Sequence, residues 1–440
     1  MIHHGVNLSP SRDRPCCTIG VITTEPQNDH PRLARRLGLF DAVVIGLGSM
    51  IGAGVFAAFG PAARAAGSGL LIGLGVAAVV AYCNAISSAR LAARYPESGG
   101  TYVYGRRRLG DFWGYLAGWS FIVGKTASCA AMALTFASYA APSHLRLVGV
   151  AVVVALTAVN AVGVQKSAWA TRLIVAIVLA ALAIVVVACL AGGRVDGAHL
   201  QPFPGGSVHG ILQAAGLLFF AFAGYARIAT LGEEVRDPAR IIPRAIPLAL
   251  GITLVVYAAV AVSALLAVGA TGLSATAAPL RAAVEAGSLH SLAPVVRVGG
   301  AVAALGSLLA LILGVSRTTF AMARDRHLPG ALAAVHPRFG VPYRAEMAVG
   351  AVVAVLVATV DLRGAIGFSS FGVLVYYGIA NASAWTLRAD EGRPPRWLPV
   401  LGLLGCGLLA ASLPAVSVLT GAAVVALGAA WWFARRRLLT

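Results

Sequence analysis

Long apolar runs constrain this chain more than any other feature of its sequence. Residues 71–89, 148–164, 173–190 and 246–268 contain no charged side chain. Each run is long enough to cross a bilayer as a helix, for which about 20 mostly apolar residues are needed. We therefore predict an all-α integral membrane protein with about 12 transmembrane helices, centred near residues 50, 80, 126, 156, 182, 220, 257, 308, 353, 375, 405 and 425.

The distribution of basic residues predicts how the chain is oriented. Its 34 Lys and Arg exceed its 16 Asp and Glu, which gives a net charge of +18. Most of the basic residues fall in the two tails and in every second predicted loop. Because Lys and Arg concentrate in cytoplasmic loops, both termini are expected in the cytoplasm. The positive charge is then a topological signal with affinity for anionic lipid headgroups, and no nucleic-acid partner is expected.

Two predicted spans contain patterns that interrupt a helix. The first span, 39–58, carries four glycines between Gly46 and Gly54, and each weakens a helix by about 1 kcal/mol relative to alanine. The sixth span, 211–231, carries FFAFAGY at 219–225. Broken backbone persists in a membrane only where protein or a water-filled cavity satisfies its polar groups. Close helix packing through Gly48 and Gly52 is the simpler reading of the first pattern.

The five-span interval between the interruptions predicts inverted repeats with a binding site at their interface. The core repeats are expected at about 36–192 and 208–388, with peripheral helices 11 and 12 at about 397–434. A disordered cytoplasmic tail, 1–31, precedes this single membrane domain, 32–440. The loops leave little room for water-soluble catalysis, and no enzyme, cofactor or metal site is expected. Arg far exceeds Lys while Ala and Gly abound, which is typical of GC-rich bacterial coding.

Four ordered segments resemble the amino acid–polyamine–organocation permeases. The sequence GSMIGAGVF at 48–56 is similar to the first-helix signature of that superfamily. Further resemblances lie in the loop before helix 3, in helix 6 with its following loop, and in helix 8 with its exit. They are carried by YPESGGTYVY at 95–104, FFAFAGY at 219–225 with GEEVRDP at 232–238 and IPRA at 242–245, and SR at 316–317 with AMARD at 321–325 and LP at 328–329.

The resemblance implies a LeuT-like 5+5 inverted repeat with discontinuous helices 1 and 6. The two interrupted segments would then form the substrate site. Its expected members are Ser49, Met50, Ile51, Gly52, Ala53, Gly54, Phe220, Ala221, Phe222, Ala223 and Gly224. By the same resemblance, the N–H groups of residues 51–54 would bind an α-carboxylate. The carbonyls of Met50, Phe220, Ala221 and Ala223 would bind an α-amine, and Phe222 would be an aromatic gate.

Lys125 is a charged residue predicted near the middle of the bilayer. It follows Trp113 by 12 residues, which is about 18 Å along a helix. A lysine at that depth costs about 2.5–3.5 kcal/mol on insertion scales. It is therefore either a structural donor to broken backbone, or a substrate neighbour and proton-coupling group. Some proton-coupled relatives use a helix-5 lysine for coupling, whereas residues around Val178 are apolar here.

Arg227 lies near the end of the sixth span, seven residues before Glu234. Pairing with Glu233 or Glu234, or snorkelling toward the interface, is the simple reading. Arg227 and Glu234 are also gate candidates, within a charged cluster that includes Glu97, Arg236 and Asp237. No Asp or Glu is predicted deep within a span, so neutral or anionic amino acids are favoured over cationic ones.

These observations together predict a permease. It would be a secondary active transporter that moves amino acids across the plasma membrane by alternating access, with the proton as coupling ion. An amino acid exchanger is one alternative. A carrier of polyamines or other organic cations is another, against which the lack of deep carboxylates argues. A third is a non-transporting amino acid sensor, which a long cytoplasmic domain would favour.

Overall fold

The computed structural model describes residues 37–97, 99–163, 168–193, 195–229 and 234–439. The predicted tail 1–31 and Glu233 lie outside these residues. The helices are α1 Leu39–Met50, α2 Ala53–Ala57, α3 Phe59–Ala66, α4 Leu70–Arg94, α5 Thr101–Leu109, α6 Asp111–Ala140, α7 Leu145–Ala161, α8 Ala168–Ala191, α9 Val208–Phe222, α10 Ala226–Ala229, α11 Pro238–Ser274, α12 Pro279–Glu285, α13 Ala293–Arg324, α14 Tyr343–Thr359, α15 Leu362–Trp385, α16 Trp397–Ser412 and α17 Ala415–Leu439.

The described part of the chain is a bundle of apolar helices. Ten of its helical stretches have the length and hydropathy to cross a membrane. Helices α14 and α16, of 17 and 16 residues, are shorter than these ten. The all-helical membrane architecture predicted from the apolar runs is confirmed.

Helices α6 and α15 form the centre of the bundle. In each, 83% of the most apolar 18-residue stretch is buried, compared with 17% for the span that contains α7 and 22% for α17. The two central helices cross where glycine faces glycine, because a Cβ added at Gly372 would lie 2.9 Å from the Gly124 Cα. The hydroxyls of Ser128 and Ser369 also lie 2.5 Å apart. This close crossing brings Lys125 of α6 near the turn of α15 that carries Tyr377.

Helical backbone is interrupted twice near the centre. Helix α1 ends at Met50 and α2 begins at Ala53. Helix α9 ends at Phe222, and a single 3-10 turn, Ala223–Tyr225, joins it to α10. The segments at the outer ends of the interrupted helices are also tied together. The Leu37 N–H donates to the Glu234 carbonyl and the Arg236 N–H to the Leu37 carbonyl, both at 3.1 Å.

Candidate functional site: two interrupted helices

The interruption of α1 uses some of its own backbone groups. The Ile51 N–H donates to the Leu47 carbonyl at 2.6 Å, and the Gly52 N–H donates to the Met50 carbonyl at 2.9 Å. Two of the four N–H groups expected to bind a carboxylate are therefore already bonded. The first N–H groups of a helix have no acceptor within it, so Ala53 and Gly54 at the start of α2 remain as the candidate anion-binding pair.

The Ala223 carbonyl, at the end of α9, accepts two side-chain donors. Lys125 Nζ donates to it at 3.2 Å and the Tyr377 hydroxyl at 3.3 Å. Lys125 is 7% exposed. Lys125, the candidate coupling residue, therefore makes a hydrogen bond to the interruption of the sixth span.

Tyr257 of α11 connects the two interruptions. Its hydroxyl lies 2.5 Å from the Met50 carbonyl oxygen and 3.1 Å from that of Ala221. The tyrosine is buried, and its ring centroid is 5.1 Å from that of Phe222. A buried tyrosine usually finds a partner for its hydroxyl, and here the partners are carbonyls released by broken helices.

Glycines allow the two interrupted helices to touch backbone to backbone. A Cβ added at Gly54 would lie 2.7 Å from the Ala221 Cα, and one at Gly224 would overlap the Ser49 carbonyl. A Cβ at Gly52 would overlap the Ser307 hydroxyl of α13. These contacts leave no space for larger side chains, so glycine at 54 and 224 is explained by close approach as well as by the interruption itself.

Of the remaining predicted site residues, Phe220 and Phe222 are buried beside these contacts and Ser49 is half-buried. Phe222 is fully buried against Tyr257, and Phe220 is 8% exposed. The Ser49 hydroxyl donates to the Ile45 carbonyl at 2.9 Å, within α1. Phe222 therefore has the position of a packing residue at the interruption, and its role as a gate stays a prediction.

The predicted gate residues lie near the interruption of the sixth span. Arg227 is exposed in α10, and Glu234 is half-buried. Two other charged residues of this cluster also have local partners: Glu97 pairs with Arg107 at 3.4 Å and Asp237 with Arg240 at 3.8 Å. A gating role for Arg227 and Glu234 stays a prediction.

A different polar cluster, at the junction of α5 and the end of α13, was not predicted. Asp325 accepts hydrogen bonds from the Tyr102 hydroxyl at 2.5 Å and from Arg106 at 2.7 Å. His327 Nδ1 lies 3.0 Å from the same hydroxyl. Burial and the nearby guanidinium of Arg106 lower the pKa of His327, which favours a neutral ring at pH 7. The residues themselves are visible in the sequence, but their pairing across about 220 positions is not.

Glu346 is a second residue that the sequence reasoning missed. It lies in the first turn of α14, close to the end of a span rather than deep within it, yet it is fully buried. Neither of its carboxylate oxygens has a hydrogen-bond partner among the described residues. Because a buried ionised carboxylate is costly without partners, Glu346 is a further candidate for binding a proton.

A family model described as amino acid permease matches residues 41–427. The chain belongs to the amino acid permease family. It is therefore a transporter and not an enzyme, and a multi-pass protein of a cell membrane.

Relatives of this permease carry different substrate names. An uncharacterized transporter of Mycobacterium tuberculosis is 70% identical over 412 residues, covering 94% of each chain. A branched-chain amino acid permease of Bacillus subtilis is 26% identical, covering 88% of this chain and 90% of its own. A methylthioribose transporter of the same organism is 28% identical, covering 93% and 95%. These two relatives, which are named for different substrates, are therefore similar to this chain to nearly the same degree.

The contact between Gly54 and Ala221 is directly testable. The change Gly54→Ala forces a methyl group into backbone, and such overpacking costs about 1–3 kcal/mol. We expect a lower melting temperature in detergent and a loss of transport. The matched control is Gly75→Ala, because a Cβ there meets nothing within 4 Å. Equal melting temperatures and equal transport for the two variants would show that the interrupted helices do not approach as described.

Proposed function

We propose that this permease is a secondary active transporter of amino acids, and that the two interrupted helices hold the substrate. The supporting observation is the meeting of the α1–α2 and α9–α10 interruptions in one buried place, where Gly54 abuts Ala221 and Gly224 abuts Ser49. Helix starts favour anions and free carbonyls favour cations. An amino acid carries both charges within a few ångströms, which matches this arrangement.

The proposal includes twelve spans in two inverted repeats of five, with α16 and α17 peripheral and both termini in the cytoplasm. Ten helices, together with the shorter α14 and α16, support the number of spans. Transport would proceed by alternating access, in which one repeat moves against the other around the site. Met50, Ile51, Ala53, Phe222 and Ala223 at the interruptions are buried, so opening on either side requires such a movement.

Within the amino acids, the proposal favours neutral side chains and then anionic ones. Lys125 places a basic group on the interruption of the sixth span, and the described site residues include no carboxylate. A cationic side chain would have no counter-charge there. The relative named as a branched-chain amino acid permease agrees with a neutral substrate, whereas relatives named as cationic amino acid transporters, at 27–28% identity, do not. The uptake panel therefore includes a cationic amino acid, together with methylthioribose for the relative named as its transporter.

Uptake into proteoliposomes tests the function. The panel is radiolabelled leucine, glutamate, arginine and methylthioribose, with and without an inward proton gradient and with and without internal substrate. Leucine or glutamate uptake that increases with the gradient and needs no internal substrate is the expected result. Uptake only into preloaded vesicles would identify an exchanger. Uptake of arginine or methylthioribose alone, or of no panel member by folded protein, would contradict the proposal.

Two variants locate the proton site. We propose that Lys125 carries the coupling proton, so Lys125→Met should abolish the dependence of uptake on the proton gradient while exchange between internal and external substrate continues. Glu346→Gln, which removes the other buried candidate, should leave the gradient dependence intact. Initial uptake rates over a range of external pH measure both. The opposite pattern would assign the proton to Glu346, and an unchanged pH profile for Lys125→Met would exclude Lys125.

A further inference from the structure

The Ala223 carbonyl is one of the groups expected to accept a hydrogen bond from the substrate's ammonium. Two donors from the protein already occupy it. A carbonyl oxygen has two lone pairs. In the structure it accepts from Lys125 Nζ at 3.2 Å and from the Tyr377 hydroxyl at 3.3 Å. A third donor has no lone pair left, so an incoming ammonium has to displace one of these two.

The Met50 carbonyl oxygen also has two donors from the protein within hydrogen-bond distance. It accepts from the Gly52 N–H at 2.9 Å and lies 2.5 Å from the Tyr257 hydroxyl. The same hydroxyl lies 3.1 Å from the Ala221 carbonyl oxygen. Donors from the protein therefore reach three of the four carbonyls that were expected to bind an amine.

Among these donors, Lys125 is the one suited to displacement. Tyr257 and Tyr377 are held by packed rings, with Tyr377 stacked on Tyr225 at 4.9 Å, and the Gly52 N–H belongs to the backbone. Lys125 carries its amine on a flexible four-carbon stem. Two ammonium groups also repel each other, by about 4 kcal/mol at 4 Å with an effective dielectric constant of about 20. An ammonium that binds the Ala223 carbonyl is therefore expected to displace Lys125 rather than Tyr377.

We propose that Lys125 is a built-in substitute for the substrate's α-ammonium: it occupies the Ala223 carbonyl and must leave when an amine binds there. This inference rests on the proposed function and adds a determinant of specificity to it. A ligand without an α-ammonium binds without displacing Lys125.

A matched pair of ligands tests this competition. The pair is L-leucine and L-2-hydroxy-4-methylpentanoate, which differ only in carrying an ammonium or a hydroxyl at the α-carbon. Their affinities are measured at equilibrium on the purified full-length protein in nanodiscs, for the wild type and for Lys125→Met. Where leucine does not bind, the same pair is built on the amino acid identified by the uptake panel.

We expect Lys125→Met to bind leucine about fivefold more tightly, because an amine no longer displaces a hydrogen bond worth about 1 kcal/mol. Affinity for the hydroxy acid should stay within about twofold, since that ligand displaces no hydrogen bond from Lys125. The control is Thr126→Val, which alters the next residue on α6, whose hydroxyl donates to the Ile122 carbonyl within its own helix. It should leave both affinities unchanged. Lys125→Leu, which likewise has no donor, replaces Lys125→Met if the latter does not fold.

The other outcomes overturn the inference. Weaker binding of both ligands by Lys125→Met would place Lys125 on the substrate's carboxylate, and unchanged binding of both would make it a structural donor only. These results are separate from a failure of the proposed function. If the proposed function is wrong, the wild type binds no amino acid at all. If only this inference is wrong, the wild type binds leucine but Lys125 does not compete with its ammonium.

Discussion

Backbone hydrogen bonding in a bilayer is the constraint on which the rest of this structure depends. A helix that stops in a membrane leaves N–H and C=O groups that no water can satisfy. Here two helices stop near the centre of the bundle, and Tyr257, Tyr377 and Lys125 place their donor groups within hydrogen-bond distance of the carbonyls of Met50, Ala221 and Ala223. Three other helices, α6, α11 and α15, supply those side chains. Side chains from α6, α11 and α15 therefore converge on the two interruptions at the centre of the bundle.

Close packing of small residues makes these hydrogen bonds geometrically possible. The glycine pair Gly124 and Gly372 lets α6 and α15 cross at backbone contact, which sets Lys125 and Tyr377 beside the same carbonyl. Gly54 and Gly224 do the same for the two interrupted helices. The site is consequently polar on its backbone and apolar on its side chains. That combination suits a small zwitterion whose two charges are recognised by peptide groups.

The sequence predicts the helices and the interruptions better than it predicts the partners. Apolar runs fix where the chain crosses the membrane, and the glycines between Gly46 and Gly54 mark the first interruption. Lys125 is conspicuous because a charge in a span is costly. Its acceptor could not be predicted, because Ala223 is 98 residues away and the face of α6 that meets it depends on packing.

Tyr257 and Tyr377 illustrate the remaining gap. In the sequence each is a tyrosine within a span, which indicates only that its hydroxyl needs a partner. Glu346 lies near a predicted helix end, where hydropathy favours exposure, whereas the fold buries it completely. Burial of a residue near a helix end depends on which loops and helices cover it, and hydropathy carries no information about that.

A structure of the transporter with a bound amino acid tests the central claim most directly. The account predicts the substrate between the two interruptions, with its carboxylate at the Ala53 and Gly54 N–H groups. The ammonium should lie on the Ala223 carbonyl, and Lys125 Nζ should have moved away from it. A substrate found elsewhere in the bundle would contradict the assignment of the site. A substrate at the interruptions with Lys125 still bonded to Ala223 would contradict the role given to the lysine.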